Sequence, residues 1–329
     1  MEIQDTIKSK CASVEPFLRK YAYVGDAGIQ KMILHPIEAG GKRIRPCLTI
    51  LACEAVGGDT RKVLPAAAAV ELLHTFTLVH DDIMDHDYQR RGRPTVHAIW
   101  GEEMGIIVGD TLYSGAFKAL VDVRGKGVSD KLVLDAVNVL VKANGELQHG
   151  QIMDMLFEKM ESVSEEEYMD MIQKKTGSLI EASVEIGGII GGGSAKELKA
   201  LTTFGANSGV AFQIKDDVLD LTADRKDFGK PIGSDIRSGK KTLIIVHAME
   251  HAGERDIKSI LRVLGREEAS EKEVSQVIGK LKELGSIDYA DQKVADLIAE
   301  GKKALNRLPK TDARESLKAL ADYLVKRRT

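Results

Sequence analysis

The sequence has few cysteines, few prolines and few aromatic residues, and neither sign of charge is in strong excess. Three cysteines in 329 residues, with no C-x-x-C pair, indicate reduced thiols and predict a cytoplasmic protein. A formal net charge of -3 argues against an overall basic field directed at nucleic acid. No uninterrupted run of about 18 apolar residues is present, so we expect no transmembrane segment. The first residues also lack the basic start and apolar run of a targeting peptide.

The amino-acid composition favours helices over sheets. Aromatic residues make up only 5% of the chain, and long segments are rich in Ala, Leu, Glu, Lys and Ile. Apolar residues recur at helical spacing from Lys62 to His86, from Leu132 to Met160 and from Glu197 to Leu221. Short glycine-containing connections separate such segments, and no break in composition divides the chain. We therefore predict an all-α protein, a large helical bundle that forms a single domain over residues 1–329.

Two acidic clusters of the form Asp-Asp-x-x-Asp stand far apart in the sequence. Residues four apart on a helix share one face, so each cluster gathers its carboxylates on one side of its helix. Both clusters follow apolar residues, and carboxylates concentrated in apolar surroundings need compensating cations. The clusters consist of Asp81, Asp82 and Asp85, and of Asp216, Asp217 and Asp220.

The oxygen-only donor set favours magnesium or calcium over zinc. Neither cluster has the D-x-D-x-D-G loop of a calcium helix-loop-helix site, so magnesium is the preferred ion. One such cluster alone is better explained as a solvated acidic helix face, whereas two clusters on apolar helices favour a metal site. The pair His80-Asp81 leaves a His-Asp metal phosphohydrolase as an alternative enzyme, and a non-catalytic helical scaffold is a third hypothesis.

Basic segments alternate with the acidic ones. Gly40 to Pro46 places two glycines before a predicted helix start and three basic residues in its first turn, where the helix dipole already favours an anion. We expect paired arginines, Arg90 and Arg91, at the end of the first carboxylate helix. Carboxylates that hold magnesium, together with Lys and Arg, are what a diphosphate requires. Further basic segments are Lys174 to Thr176, Gly229 to Asp235 and Lys240 to Thr242.

From Gly40 to Thr242 this combination of motifs resembles the trans-isoprenyl diphosphate synthases, most closely those of the archaeal geranylgeranyl diphosphate type. The resemblance implies the helical bundle of the isoprenoid synthases, working as a homodimer without a nucleic-acid partner. It also implies three Mg2+ ions that clamp an allylic diphosphate. By this resemblance the metal ligands are Asp81, Asp82, Asp85, Asp216, Asp217 and Asp220.

The resemblance also assigns the remaining site residues. Arg90, Lys175, Lys230 and Lys240 correspond to cationic partners of the allylic diphosphate. Lys42, Arg45, His74 and Arg91 correspond to the isopentenyl diphosphate site. Thr176 and Gln213 correspond to polar groups placed near a carbocation.

The implied reaction lengthens an allylic diphosphate of C5 to C15 by adding isopentenyl diphosphate. Metal ions with Lys and Arg would stabilise the charge that develops on the departing diphosphate. Water must be excluded, because it would capture the cation. No side chain is an obvious general base, so the departing pyrophosphate is expected to take the proton.

Product length is expected to depend on the residues that precede the first cluster. Phe76 lies five residues before Asp81, or about 7.5 Å along a helix that rises about 1.5 Å per residue. Thr77, four residues before Asp81, is small and leaves room. In the family this pattern resembles synthases with a C20 product, and a C15 product is the alternative. A helical Phe is also common in an ordinary core, and that interpretation stays open.

Overall fold

The computed structural model describes residues 3–223 and 232–326, and these residues fall into two compact units. The first unit lies within Met1–Asn144, Leu179–Gly205 and Ala304–Leu320. The second lies within Gly145–Ser178, Ala206–Lys303 and Ala321–Thr329. The single domain inferred from the sequence stays a prediction.

The prediction of an all-α protein is confirmed for the described residues. The one strand pair there is a short antiparallel hairpin, β1 (Gln89–Arg90) with β2 (Arg93–Pro94). The helices up to the middle of the chain are α1 (Ile3–Tyr21), α2 (Ala27–Glu38), α3 (Ile44–Ala55), α4 (Thr60–Met84), α5 (Val96–Trp100), α6 (Glu102–Val121) and α7 (Asp130–Phe157). The others are α8 (Glu165–Ile172), α9 (Ser178–Ile190), α10 (Ala195–Thr222), α11 (Ser234–Ser238), α12 (Leu243–His251), α13 (Glu254–Leu261), α14 (Glu271–Glu283), α15 (Ser286–Ala304) and α16 (Asp312–Val325).

The three long helices predicted from apolar spacing are present as α4, α7 and α10. Their ends differ from the predicted ones by one to three residues. Helix α4 begins earlier than predicted because Asp59 caps it, accepting a hydrogen bond from the backbone N–H of Arg61 at 2.9 Å. It ends at Met84, and Asp85 is its C-terminal cap. The ends of these helices therefore depend on capping interactions, which the spacing of apolar residues alone does not reveal.

Helix α4 forms the centre of the first unit. Its residues Ala66 to Val70, Leu72 and Leu73 have no measurable exposure, and α1, α3 and α6 surround it. Burying one leucine side chain contributes about 1.5–3 kcal/mol, which explains why a helix that ends in three carboxylates is stable. The acidic cluster is thus carried on a rigid element.

The charged C-terminal third forms amphipathic helices. Helix α14 is typical: Ser270 and Glu273 form a capping box at its start. Val274, Val277 and Leu281 are buried at spacings of three and four residues, while charged residues near the two ends of the helix, such as Lys272 and Lys282, are exposed. The charges of this region therefore lie on solvated helix faces.

Candidate active site

The three aspartates of the first cluster lie in different surroundings at the end of α4. Asp82 is buried, and one of its oxygens accepts a hydrogen bond from Nε of Arg90. Asp81 is half-buried, and Asp85 is exposed. Because Asp82 is engaged with a guanidinium group, Asp81 and Asp85 are the more accessible carboxylates for a cation.

The Asp82–Arg90 pair attaches the β-hairpin to the carboxylate helix. Burial raises the pKa of Asp82, and the positive charge of Arg90 opposes that rise. Arg90 also lies 3.8 Å from a carboxylate oxygen of Asp87. The sequence interpretation that placed Arg90 and Arg91 at the end of the carboxylate helix is wrong, because α4 ends at residue 84 and both arginines lie in or beside the hairpin.

A buried arginine fixes the loop that precedes α3. The backbone of Arg43 is left-handed, with φ of 47°, and its Nη1 donates to Oε1 of Glu71 at 2.9 Å. Both side chains are 4% exposed. Three basic residues were predicted in the first turn of α3, and this is wrong for Lys42 and Arg43, because α3 begins only after them. Arg45 does lie in that turn.

His74 and Arg45 form a polar pair between α4 and α3. Nη1 of Arg45 lies 3.1 Å from Nε2 of His74. A guanidinium group only donates, so Nε2 accepts and the neutral imidazole carries its proton at Nδ1. Burial, with the charges of Arg45 and Arg91, lowers the pKa of His74 well below its usual value. The ring is therefore neutral near pH 7 and offers Nδ1–H as a donor.

Arg91 is bound to the glycine pair that opens the basic loop. Its Nη1 donates to the carbonyl oxygen of Gly40. Gly41 has φ of 143°, and a Cβ atom there would lie 2.5 Å from Nη1 of Arg91. A larger residue at Gly41 would therefore displace the arginine. Asp82, Arg90 and Arg91 line one pocket of the first unit.

The second cluster lies near the end of α10 in the second unit, and two of its carboxylates are buried. Asp217 accepts hydrogen bonds from the hydroxyl of Tyr168 at 2.6 Å and from the side-chain amide of Gln213 at 2.9 Å. Burial, with the nearby carboxylate of Asp235, raises the pKa of Asp217. Asp216 is half-buried.

Asp220 caps the short helix α11. Its oxygens accept from the backbone N–H groups of Ser234 and Asp235, each at 3.1 Å. A carboxylate at a helix N-terminus satisfies N–H groups that have no partner inside the helix. Asp220 thus fixes the start of α11. Lys230, a predicted diphosphate partner, lies outside the described residues.

Two predicted diphosphate lysines meet on one buried carboxylate. Oδ2 of Asp154 accepts from Nζ of Lys175 at 2.6 Å and from Nζ of Lys240 at 2.8 Å. Lys240 also donates to Oε1 of Glu158 at 2.6 Å. The structure therefore brings Lys175 and Lys240 together, although they are 65 positions apart in the sequence.

The backbone around Lys175 has an irregular helical geometry. Gln173–Gly177 forms a π-helical turn between α8 and α9, and such turns are frequent at functional sites. A Cβ atom at Gly150 would lie 2.3 Å from the backbone nitrogen of Lys175, so α7 approaches this turn at a distance that only glycine allows. Within the turn, the hydroxyl of Thr176 donates to Oε1 of Gln213 at 2.8 Å. The two polar residues assigned near the carbocation are therefore in direct contact.

The two residues assigned to product length are buried in the first unit. Phe76 is 9% exposed, and its ring packs against the rings of His80 at 4.7 Å and Tyr113 at 5.1 Å between centroids. Thr77 donates from its hydroxyl to the carbonyl oxygen of His74 at 2.9 Å. The Thr77 hydroxyl is thus directed back to its own helix.

One ring nitrogen of His80 has a partner within the protein. Its Nε2 lies 3.1 Å from the carbonyl oxygen of Ile106. A carbonyl oxygen can only accept a hydrogen bond, so Nε2 is the donor and carries a proton. A histidine that ligates a metal through a ring nitrogen needs that nitrogen deprotonated. In this structure Nε2 of His80 has a structural partner.

Two residues of these clusters were missed by sequence reasoning: Asp154 and Tyr168. Asp154 carried a signal, because it interrupts the apolar run Ile152-Met153-Asp154-Met155-Leu156. Tyr168 had none, since its contact with Asp217 spans 49 residues.

Among the described residues, no group of three or more His, Cys, Asp or Glu side chains is arranged to hold a metal ion. The donors of the two clusters are carboxylate oxygens, which suit a hard cation that is bound by both the protein and a substrate.

Two described segments are long and apolar enough to cross a membrane by length and composition alone. Within the apolar 18-residue window of each segment, 78% is buried in Thr60–Met84 and 44% in Glu102–Lys126.

Comparison with known proteins gives concordant matches. The polyprenyl synthetase family model matches residues 26–281. A short chain isoprenyl diphosphate synthase of Methanothermobacter thermautotrophicus is 43% identical, over 95% of this chain and 98% of the relative. A geranylgeranyl diphosphate synthase of Methanosarcina mazei is 42% identical, over 99% of this chain and 98% of the relative.

A solved structure shows the same fold. The crystal structure of geranylgeranyl pyrophosphate synthetase from Pyrococcus horikoshii is 45% identical to this chain and matches it with a TM-score of 0.93. The match covers 99% of this chain and 98% of that one. The fold type inferred from the motifs is therefore confirmed.

Proposed function

Since the chain belongs to the polyprenyl synthetase family, we propose that it condenses isopentenyl diphosphate with allylic diphosphates of C5 to C15 and makes mainly geranylgeranyl diphosphate, C20. Relatives that carry this name match the chain over nearly its full length. The observation that supports the proposal best is that each acidic cluster shares its unit with fixed cationic side chains. A diphosphate held through metal ions needs this combination.

In this proposal the aspartates of both clusters bind Mg2+, with three ions for each active site. When bound, Mg2+ would neutralise charge on the departing diphosphate. Asp81, Asp85 and Asp216 are more exposed than the other cluster carboxylates, which suits them to bind an ion that is also shared with a substrate. Asp82, Asp217 and Asp220 remain proposed ligands, and their protein partners also orient the helix ends.

The cations of the second unit are assigned to the allylic diphosphate. Lys175 and Lys240 each have N–H groups beyond the one that reaches Asp154, because an ammonium group has three. Lys230 and, from the first unit, Arg90 are assigned to the same diphosphate. These residues would stabilise negative charge as the carbon–oxygen bond breaks.

The polar pair Thr176 and Gln213 would face the allylic carbocation. The amide of Gln213 donates to Asp217, so its carbonyl oxygen is oriented towards the hydroxyl of Thr176. That arrangement fixes the dipoles before substrate binds and needs little reorganisation during the reaction.

The basic loop of the first unit is assigned to isopentenyl diphosphate. Lys42 is exposed, and Arg45, His74 and Arg91 lie on elements fixed by the contacts described above. Neutral His74 can donate from Nδ1 to a phosphate oxygen. No described side chain is assigned as general base, so the proton lost from isopentenyl diphosphate would go to the departing pyrophosphate.

Incubation with Mg2+, labelled isopentenyl diphosphate and each allylic primer tests the proposal directly. We expect labelled C20 product from C5, C10 and C15 primers, and no release of phosphate or diphosphate when isopentenyl diphosphate is omitted. A farnesyl or bifunctional enzyme would accumulate C15 product. Hydrolysis without isopentenyl diphosphate would support the phosphohydrolase instead, and no magnesium-dependent turnover would support a scaffold.

We also propose a cytoplasmic homodimer. The three cysteines are free thiols, which suits a reducing compartment. Exposed apolar residues on α6 and the first half of α7 offer a surface for a second copy, with Ile107 55%, Leu134 61% and Val141 52% exposed.

In sedimentation at micromolar concentration we expect a dimer, and Leu134→Asp should dissociate it. Lys272→Asp, a charge change on an exposed residue of α14, is the control. A wild-type monomer would contradict the proposal.

A further inference from the structure

Asp154 occupies an unusual position between two ammonium groups. Its side chain is 9% exposed, and a single oxygen, Oδ2, accepts from both Lys175 and Lys240. The two Nζ atoms are therefore separated by less than two hydrogen-bond lengths. The contacts join three different elements: α7, the π-helical turn, and the segment that follows α11.

Two ammonium groups this close repel each other unless an anion lies between them. A lysine side chain also loses much rotamer freedom when it is fixed, about 1.5–2 kcal/mol. The carboxylate of Asp154 offsets both effects before any substrate arrives. It holds the two cations side by side on one oxygen atom, with their remaining N–H groups unused by Asp154.

The charges of the cluster support this interpretation. Burial alone would lower the pKa of Lys240, but the carboxylates of Asp154 and Glu158 raise it above its usual value. Burial alone would raise the pKa of Asp154, but Lys175 and Lys240 together lower it. Asp154 and Lys240 therefore each favour the charged form of the other.

Building on the proposed prenyl transfer, we propose that Asp154 is the positioning residue that presents Lys175 and Lys240 as one binding unit for the diphosphate of the allylic substrate. It touches neither substrate nor reacting atoms. Its effect is carried by the two lysines.

The test is steady-state kinetics of the full-length protein with Asp154→Asn. Loss of hydrogen bonds to charged groups predicts an increase in KM for the allylic diphosphate of about tenfold or more. KM for isopentenyl diphosphate should change less than about twofold, since Asp154 acts through Lys175 and Lys240, which are assigned to the other diphosphate. Asp154→Glu, which keeps the charge, should recover part of the loss.

Two neighbouring acidic residues provide controls. Glu158 contacts Lys240 and is more exposed, so Glu158→Gln should have a smaller effect on the same KM. Asp170 pairs with Lys174 at the surface, and Asp170→Asn should leave both KM values unchanged. A double-mutant cycle of Asp154→Asn with Lys240→Met should be strongly non-additive.

The outcomes are distinct. An unchanged allylic KM, or additive effects in the cycle, would overturn the inference. Tighter binding of inorganic pyrophosphate by the asparagine variant would also overturn the inference. Asp154 would then weaken anion binding by reducing the positive charge of Lys175 and Lys240, and would not position them for it. If this variant melts below the assay temperature, Asp154→Glu takes its place, with the same split between the two KM values expected. The proposed function and the positioning role can fail separately. If the wild-type protein forms no prenyl product, the proposed function is refuted. If calorimetry then shows that its affinity for pyrophosphate depends on Asp154, the positioning role still stands.

Discussion

The Asp81→Asn variant should lose about a thousandfold or more in kcat/KM for prenyl transfer, since the charge stabilisation assigned to a carboxylate-held metal is worth several kcal/mol. Asparagine keeps the shape of the side chain but removes its charge, so the loss should appear without a change of fold. Asp81 is half-buried, at the end of a helix whose stability comes from its apolar residues. The melting temperature should therefore stay close to that of the wild type. Initial rates over a range of Mg2+ concentrations provide the measurement.

Asp296→Asn is the matched control for Asp81→Asn. Asp296 is an exposed aspartate on α15 that accepts a hydrogen bond from Gln292 at 2.9 Å. Its replacement should leave kcat/KM within about twofold, in line with the small effects of surface substitutions. Activity of Asp81→Asn at the wild-type level would remove the first acidic cluster from the mechanism.

Replacing Phe76 with alanine should lengthen the product beyond C20 by one or more five-carbon units. The ring of Phe76 packs against His80 and Tyr113, and its removal opens space in that part of the first unit. The same change should destabilise the protein by about 3–5 kcal/mol, the usual cost of deleting a buried phenylalanine. Products should be sized by chromatography after removal of the diphosphate.

Phe76→Leu separates the two roles of this residue. Leucine retains most of the volume, so the product should stay at C20 with a smaller loss of stability. If Phe76→Ala kept the C20 limit and only lowered the melting temperature, Phe76 would be an ordinary core residue. Thr77 would then be the next position to test, by replacing it with a larger residue and measuring the length of the product.

Local sequence patterns predicted much of the fold. The spacing of apolar residues located α4, α7 and α10, because a helix buried on most sides must carry apolar residues at each turn. Helix ends were less accurate, since caps such as Asp59 are single residues whose effect depends on local geometry. The hairpin at Gln89–Pro94 was not predicted. It depends on the ion pair of Arg90 with Asp82 and on a left-handed backbone at Arg91.

The candidate site was predictable where its residues stand close together in the sequence. The spacing within each Asp-Asp-x-x-Asp cluster already implies a shared helix face. The spacing did not show which carboxylates are buried, and Asp82, Asp217 and Asp220 proved to be engaged with protein donors. Nor did it reveal Asp154, whose partners lie 21 and 86 residues away.

The two acidic clusters, their oxygen-only donor set and the basic segments that alternate with them were determined by the sequence alone, because residue type and helical spacing are local properties. Only the tertiary structure decided how these charges are compensated within each unit. It turned Arg43 inward to Glu71, paired Arg90 with Asp82 and brought Lys175 and Lys240 to Asp154. The physical reason is that a buried charge requires a partner of opposite sign, and the folded chain, not sequence proximity, determines which partner is within reach.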